Sequence, residues 1–331
     1  MPHPLLLAIE TSCDDSAVAL YEGDRLVQHL TSSQTIHAHY GGVIPEFAAR
    51  QHLEALPILL RHLLSETGRA LADIGAVAAT IGPGLVGSLA VGLSYAKGIA
   101  VGRRIPLVGV DHLHAHVMAH FIEPPYPDFP FLNLLVSGGH TQLMLFRSPL
   151  DYRIIGRTRD DAVGEAFDKA AVMMQLGYPG GPAIDRLART GNPHAFRFPI
   201  ARMPGFDFSY SGLKTALKYL LRDHPDALDR PADLAASFQE AALRPLIQNL
   251  ERAARQHRIR HIGIAGGVAA NSRLRQMAET AARQHGWRIF FPAIEYCTDN
   301  AAMVGRAARF LLEAGRTTDL SVTPYSRTPQ V

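Results

Sequence analysis

The sequence predicts an α/β protein of two lobes, and three observations lead there. The chain has 331 residues, more than a single compact core usually serves. Two units of the form strand, polar loop, strand stand far apart along it. Around them run segments whose apolar residues repeat at helical spacing.

Taken in order, LLLAI (5–9) is a short apolar run that reads as a first buried strand. The polar loop Glu10-Thr11-Ser12-Cys13-Asp14-Asp15-Ser16 follows, and AVALYEGDRLVQHL resumes a strand pattern with a turn at Gly23-Asp24. EFAARQHLEALPILLRHLLSETG (46–68) predicts a helix with a kink or break at Pro57. After Gly82-Pro83-Gly84, the small-residue-rich LVGSLAVGLSYAKGIAVG (85–102) predicts a buried helix lying close on a sheet. IPLVGV (105–110) is a buried strand, and DHLHAHVMAHFIE (111–123) begins a helix. The proline-rich FIEPPYPDFPF (121–131) marks the passage between lobes. FLNLLV (131–136), the loop Ser137-Gly138-Gly139-His140-Thr141 and QLMLF (142–146) form the second strand–loop–strand unit, a weak internal repeat of the first. HIGIAGGVAANSRLRQMAETAARQHG (261–286) predicts strand, glycine turn and helix, and a last helix runs from Asp299 to about Glu313. The tail beyond Gly315 is an ordered strap or a frayed end. The lobes are expected at 1–130 plus about 297–331, and at 131–296.

Composition narrows the class. Hydrophobic residues make up 47% and charged residues 19%, an ordinary globular balance. No apolar run reaches the length of a membrane span, and the N-terminal run is too short for a signal core. Only Cys13 and Cys297 are cysteines, which makes no disulfide framework and points to a reducing cytoplasm; a pairing between the two stays open. The net charge of +3 does not diagnose nucleic-acid binding. The basic residues are nearly all arginine, the side chain better suited to bidentate phosphate contacts.

His112 and His116 lie four apart on an expected helix and so share one face, the way a helix presents two imidazoles to one metal. With 16 histidines, random placement gives on the order of one such pair. The chain has 112/116, 116/120 and 257/261, so spacing alone is weak. Context raises 112/116, because it follows a buried strand at the carboxyl end where α/β folds place ligands. No Glu follows His112, so the HExxH metalloprotease pattern is absent. Asp299 is the best third ligand, its plainer reading being a helix N-cap. Two His and one Asp with open positions suit Fe²⁺ or Zn²⁺.

Three glycine turns bring bare backbone to strand ends or helix starts. They are Ser137-Gly138-Gly139, Gly180-Gly181 with Asp185 on the following helix, and Gly266-Gly267 before the helix that begins near Asn271. Asp161, Glu165 and Asp168 lie nearby in sequence, and Asp168 is a candidate for ribose hydroxyls. Any one turn is more simply a chain reversal; the three together suggest a pocket for an adenylate-type ligand.

The runs ETSCDDSA, PEFAARQH, GPGLVGSL, KGIAVGRRIPLVGVDHLHAHV, LLVSGGHTQL, DDAVGEAFDKAA, YPGGPAID, FSYSGLKT, GGVAANSRLR and CTDNAAM resemble, in order, the TsaD-type tRNA N6-adenosine threonylcarbamoyltransferases, once labelled O-sialoglycoprotein endopeptidases. Tyr210 departs conservatively from the Phe more usual in FSFSGLKT. The resemblance covers nearly the whole chain. It implies an actin/Hsp70-like (ASKHA) fold of two duplicated lobes, with the late helix returning to the first. It implies transfer of threonylcarbamoyl from L-threonylcarbamoyl-AMP to N6 of adenosine 37, in tRNAs reading codons that start with A. It makes His112, His116 and Asp299 the ligands of one divalent metal, Fe²⁺ ahead of Zn²⁺. It makes Leu135, Val136, Ser137, Gly138, Gly139, Asp168, Gly181, Asp185 and Asn271 the substrate contacts. The expected partners are tRNA, TsaB and TsaE, with no membrane. The general base is unknown; Glu10 and Asp14 are candidates. The rivals are an ATPase or kinase on the same fold, the old metalloprotease reading, and a non-catalytic nucleotide-binding subunit.

Overall fold

The computed structural model describes residues 5–40 and 42–327, so the last four residues of the tail lie outside the described residues. Its contacts divide the chain into two units, Met1–Pro124 with Pro292–Val331, and Pro125–Phe291.

The first unit opens with β1 (Leu5–Glu10), β2 (Asp15–Glu22) and β3 (Arg25–Ser33). It continues with α1 (Pro45–Thr67), β4 (Ile74–Gly82), α2 (Val86–Arg103), β5 (Leu107–Asp111) and α3 (His112–Met118). The sheet order is β3-β2-β1-β4-β5. β2 runs antiparallel to β1 and β3, whereas β1, β4 and β5 run parallel. Every residue of β1 is buried, which explains why its sequence is a continuous apolar run rather than an alternation. Leu5, Leu7 and Ile9 join Leu56, Leu60 and Leu63 of α1 and Leu93, Ala96 and Ala100 of α2 in one core. α1 continues as helix through Pro57, so the expected break does not occur there. The carbonyl that loses its partner belongs to Leu53, an exposed residue.

The second unit repeats the plan. It holds β6 (Phe131–Val136), β7 (Thr141–Ser148), β8 (Asp151–Arg157), α4 (Val163–Met173), α5 (Gly180–Ala188), α6 (Ser211–Asp223), α7 (Pro231–His257), β9 (His261–Ala265), α8 (Ser272–His285) and β10 (Arg288–Phe290). Its order, β10-β9-β6-β7-β8, and its strand directions match those of the first sheet. The weak repeat in the sequence is thus a duplication of a five-stranded sheet. The chain then returns to the first unit as α9 (Ala301–Glu313), which packs on α3, β1 and β2.

Cys13 and Cys297 are free thiols. Among the described residues, no helix is long and apolar enough to cross a membrane.

Candidate metal centre and anion loop

The candidate metal ligands come from two places in the chain, with His116 and Asp299 183 residues apart. α3 starts directly at the end of β5, and the Asp111 carboxylate caps it by accepting the His114 amide at 2.9 Å. The cap fixes the helical register, so the rings of His112 and His116 stack edge to face with centroids 4.6 Å apart. Asp299 sits just before α9, whose first turn is capped by Asn300 accepting the Met303 amide. α9 lies close on β2 because Gly305 has no Cβ; one placed there would come within 2.5 Å of the Tyr21 ring. The Tyr21 hydroxyl donates to the Ala302 carbonyl at 2.8 Å and holds the approach.

Together these elements bring His116 Nε2 to 3.1 Å and His112 Nε2 to 3.5 Å from Asp299 Oδ1. All three donor atoms lie within 4.8 Å of one another. Ligands about 2.1 Å from a shared ion, at octahedral to tetrahedral angles, are roughly 3.0–3.5 Å apart, so both His–Asp separations fit a shared divalent ion. Outer partners orient it. His112 Nδ1 lies 3.2 Å from Glu10 Oε2 and 3.2 Å from Ser12 Oγ. A proton on Nδ1 facing Glu10 leaves the Nε2 lone pair for a metal. His116 lacks this support: its buried Nδ1 has no hydrogen-bond partner among the described residues.

Electrostatics carry a testable consequence. Burial disfavours charge on His112, but the Asp299 and Glu10 carboxylates outweigh it and raise the imidazole to about 9. Glu10 is fully buried, which by itself raises it, yet His112 holds it below the usual carboxylate range. An ion must therefore displace a proton. The folded pKa stands above the unfolded 6.5, so this pair stabilises the metal-free protein fully below about pH 6.5 and loses that effect as pH rises through about 9. Metal binding gains over the same window. The apparent affinity is expected to rise by up to about tenfold per pH unit between 7 and 9 and then level off, with release of about one proton. Competition titrations at several pH values measure both.

In the second unit the loop 137–139 joins β6 to β7. It is closed by the Ser137 amide donating to the His140 carbonyl at 2.8 Å. Gly138 and Gly139 are exposed, and a Cβ on either would meet nothing within 4 Å. Two other glycines hold the loop from behind. A Cβ at Gly164 of α4 would lie 2.5 Å from the Ser137 carbonyl oxygen and 2.7 Å from Gly138 Cα. Gly266, at φ +92°, would meet the Val136 carbonyl oxygen at 2.5 Å. One turn along α4, Asp168 accepts the Gly180 amide at 2.8 Å. Burial pushes its carboxyl up, and the Gly180 and Gly181 amides oppose that. Asp185 on α5 accepts both the amide and the hydroxyl of Ser272, at 3.2 and 2.8 Å. Asn271 caps α8 through the Leu274 amide and donates to Gln239 at 2.7 Å. Beside these residues, a cavity of about 540 Å³ is lined by Arg189, Gln239, Glu240, Ser272 and Arg273 among others. That volume is within the range of small-ligand sites.

Comparison with known proteins decides the family. Residues 25–306 match the family model described as TsaD, tRNA N6-adenosine threonylcarbamoyltransferase. The enzyme of that name from Porphyromonas gingivalis is 44% identical over 98% of both chains, and the one from Kosmotoga olearia is 50% identical over 92% of both. This chain belongs to the TsaD family. Its fold is that of the actin-like proteins: the structure of T. kodakarensis HypF superposes with a TM-score of 0.63 at 15% identity, over 95% of this chain and 49% of that one. Membership in TsaD makes the chain a transferase that places threonylcarbamoyl on N6 of adenosine in tRNA, forming t6A.

Placed on the structure, the expected TsaD residues differ in what they offer. Leu135 and Val136 have fully buried side chains and sit in ladders with β7, so only their main chain is available to a ligand. Asp168 is already engaged in fixing a glycine turn. Glu10 is 0% exposed, and its oxygens face Thr80, Ser12 and His112. Of the other histidines in the fourfold spacing, His120 is buried outside the cluster, and His261 accepts the Asp128 amide. Sequence reasoning missed Asp15 at the start of β2. Burial pushes it up, a Ser33 hydrogen bond opposes, and the Asp299 and Asp14 charges add, leaving it at about 7. Its place at the end of the polar loop carried no signal, because burial is a tertiary property.

Proposed function

We propose that the donor is L-threonylcarbamoyl-AMP and the acceptor adenosine 37 of tRNAs reading codons that start with A. The observation that carries this is the loop 137–139, with open glycines in front and Gly164 and Gly266 pressed against its back. In this reading its amides take the phosphate, as do amides at other glycine-rich anion sites. The main chain of Leu135 and Val136 leads into that loop. Asp168, Gly181, Asp185 and Asn271 line the nucleoside end, with the adjoining cavity for the base. His112, His116 and Asp299 hold the metal, Fe²⁺ in preference to Zn²⁺. A bound divalent ion supplies Lewis-acid charge for acyl transfer.

In the reaction the adenosine N6 forms a bond to the carbamoyl carbon. The carbon–oxygen bond to phosphate breaks, AMP leaves with the electron pair, and N6 gives up one proton. Asp15, which burial pushes up to about 7, is proposed as the group that takes that proton. Burial, the larger cause of its shift, persists when Asp299 is metal-bound. Below pH 7 Asp15 is protonated and cannot accept, so the transfer rate is expected to rise with pH and level off above about 7. Asp15→Asn is expected to lower kcat by about 10²–10⁴ and to remove that limb, read from pH–rate profiles.

The proposed setting is the cytoplasm, with TsaB and TsaE as protein partners. Arginines of the 244–288 stretch are proposed to hold tRNA with salt-sensitive affinity. The deciding experiment is nucleoside analysis of tRNA incubated with this protein, its partners and threonylcarbamoyl-AMP. Unmodified adenosine 37 in the presence of bound metal sinks the donor assignment.

A further inference from the structure

Beyond α9, residues 314–327 form an ordered strap. It turns at Gly315 and runs along β5, the edge strand of the first sheet. The Thr318 amide donates to the Leu107 carbonyl at 2.8 Å, and the Gly109 amide donates to Thr318 Oγ1 at 2.7 Å. Farther on, Lys97 Nζ donates to the Val322 carbonyl at 2.6 Å, and the Tyr325 amide to the Ile81 carbonyl at 3.0 Å. The strap thereby covers a sheet edge that would otherwise be open. Edge covering does not explain how it ends. The Tyr325 ring lies where Gly82 leaves room; a Cβ there would meet it at 2.5 Å. Its hydroxyl donates to Asp111 Oδ2 at 2.7 Å. The other oxygen of that carboxylate, Oδ1, is the cap of α3.

α3 has seven residues, two turns, and a helix that short has no stability of its own. Its position depends on its cap and its packing. We propose that Tyr325 is a positioning residue for the metal centre: its hydroxyl fixes the Asp111 carboxylate that caps the helix carrying His112 and His116. Without the hydroxyl, Asp111 keeps the His114 amide but gains freedom to rotate, and the first turn of α3 loosens under both imidazoles. The inference rests on the metal reading of those residues.

The test uses the full chain, stripped of metal and titrated with cobalt(II), followed by ligand-field absorption. Tyr325→Phe keeps the ring in its place and removes only the oxygen. Outer partners of metal ligands typically contribute 10–100-fold, so this variant is expected to bind cobalt about tenfold more weakly, with a shifted spectrum. Thr318→Val loosens the strap at the sheet edge but leaves the hydroxyl; it is expected to lower the melting temperature with cobalt affinity unchanged. Equal cobalt affinity in Tyr325→Phe and the parent overturns the inference, as does a Thr318→Val loss as large as that of Tyr325→Phe. A parent protein that binds no cobalt overturns the metal reading and the inference with it.

Discussion

His112→Ala and His116→Ala are both expected to empty the metal centre and to lower threonylcarbamoyl transfer by about three decades, yet to differ in stability. Lewis-acid charge on a developing oxyanion is worth several kcal/mol, and about 4 kcal/mol corresponds to three decades of rate. Either substitution leaves only two of the three clustered donors. The stability difference arises from Glu10. That carboxylate is fully buried and kept ionised by His112 beside it. Removing one member of a buried charge pair leaves the other uncompensated, at a cost of about 3–5 kcal/mol. His116 has no such dependent: its Nε2 faces Asp299, which is partly exposed. His112→Ala should therefore melt well below His116→Ala in the metal-free state, and adding Glu10→Gln should recover part of the loss. Metal content, initial rates on unmodified tRNA and thermal melts of the four proteins measure all of this. Equal melting of the two single variants would show that Glu10 does not depend on His112.

Gly164→Ala is expected to cut kcat/KM for the donor by about a hundredfold with only a small loss of stability. The added methyl would stand 2.5 Å from the Ser137 carbonyl oxygen and 2.8 Å from its carbonyl carbon, as well as 2.7 Å from Gly138 Cα. These are backbone atoms, which cannot rotate away as a side-chain tip can. The loop 137–139 must shift by several tenths of an ångström or more. Its outer side is open space, so the shift is cheap for folding. It is not cheap for function, because misplacement of about 1 Å in a positioning element can cost two decades of rate. Gly138→Ala is the control: a Cβ there meets nothing, so any loss must come from contact with the ligand itself. Steady-state kinetics with threonylcarbamoyl-AMP, alongside melting curves, distinguish a displaced loop from a damaged fold. A Gly164→Ala protein with unchanged kcat/KM would remove the loop from the donor site.

Much of the fold was legible in the chain because its signals are local. Strand β1 reads as buried from six residues, five of them apolar. The turn Ser137-Gly138-Gly139-His140 reads as a hairpin loop from its composition. The spacing of His112 and His116 sets both imidazoles on one helix face. The duplication was visible only faintly, as two strand–loop–strand units; the matching strand orders make it plain.

What the sequence alone determined, then, is which residues form each element and which side chains share a face, since backbone propensity and periodicity act over a few neighbours. Tertiary structure decided the rest. It brought Asp299 to the His pair through a helix that returns late to the first unit and fits because Gly305 accommodates Tyr21. It turned Glu10 from a candidate base into the partner of His112, and raised Asp15 toward neutrality, because pKa depends on burial and on charges brought near by folding. It also carried Tyr325 to Asp111, across 214 positions, by laying the tail along an open sheet edge. No local pattern encodes these meetings, because each depends on packing between segments remote in the chain.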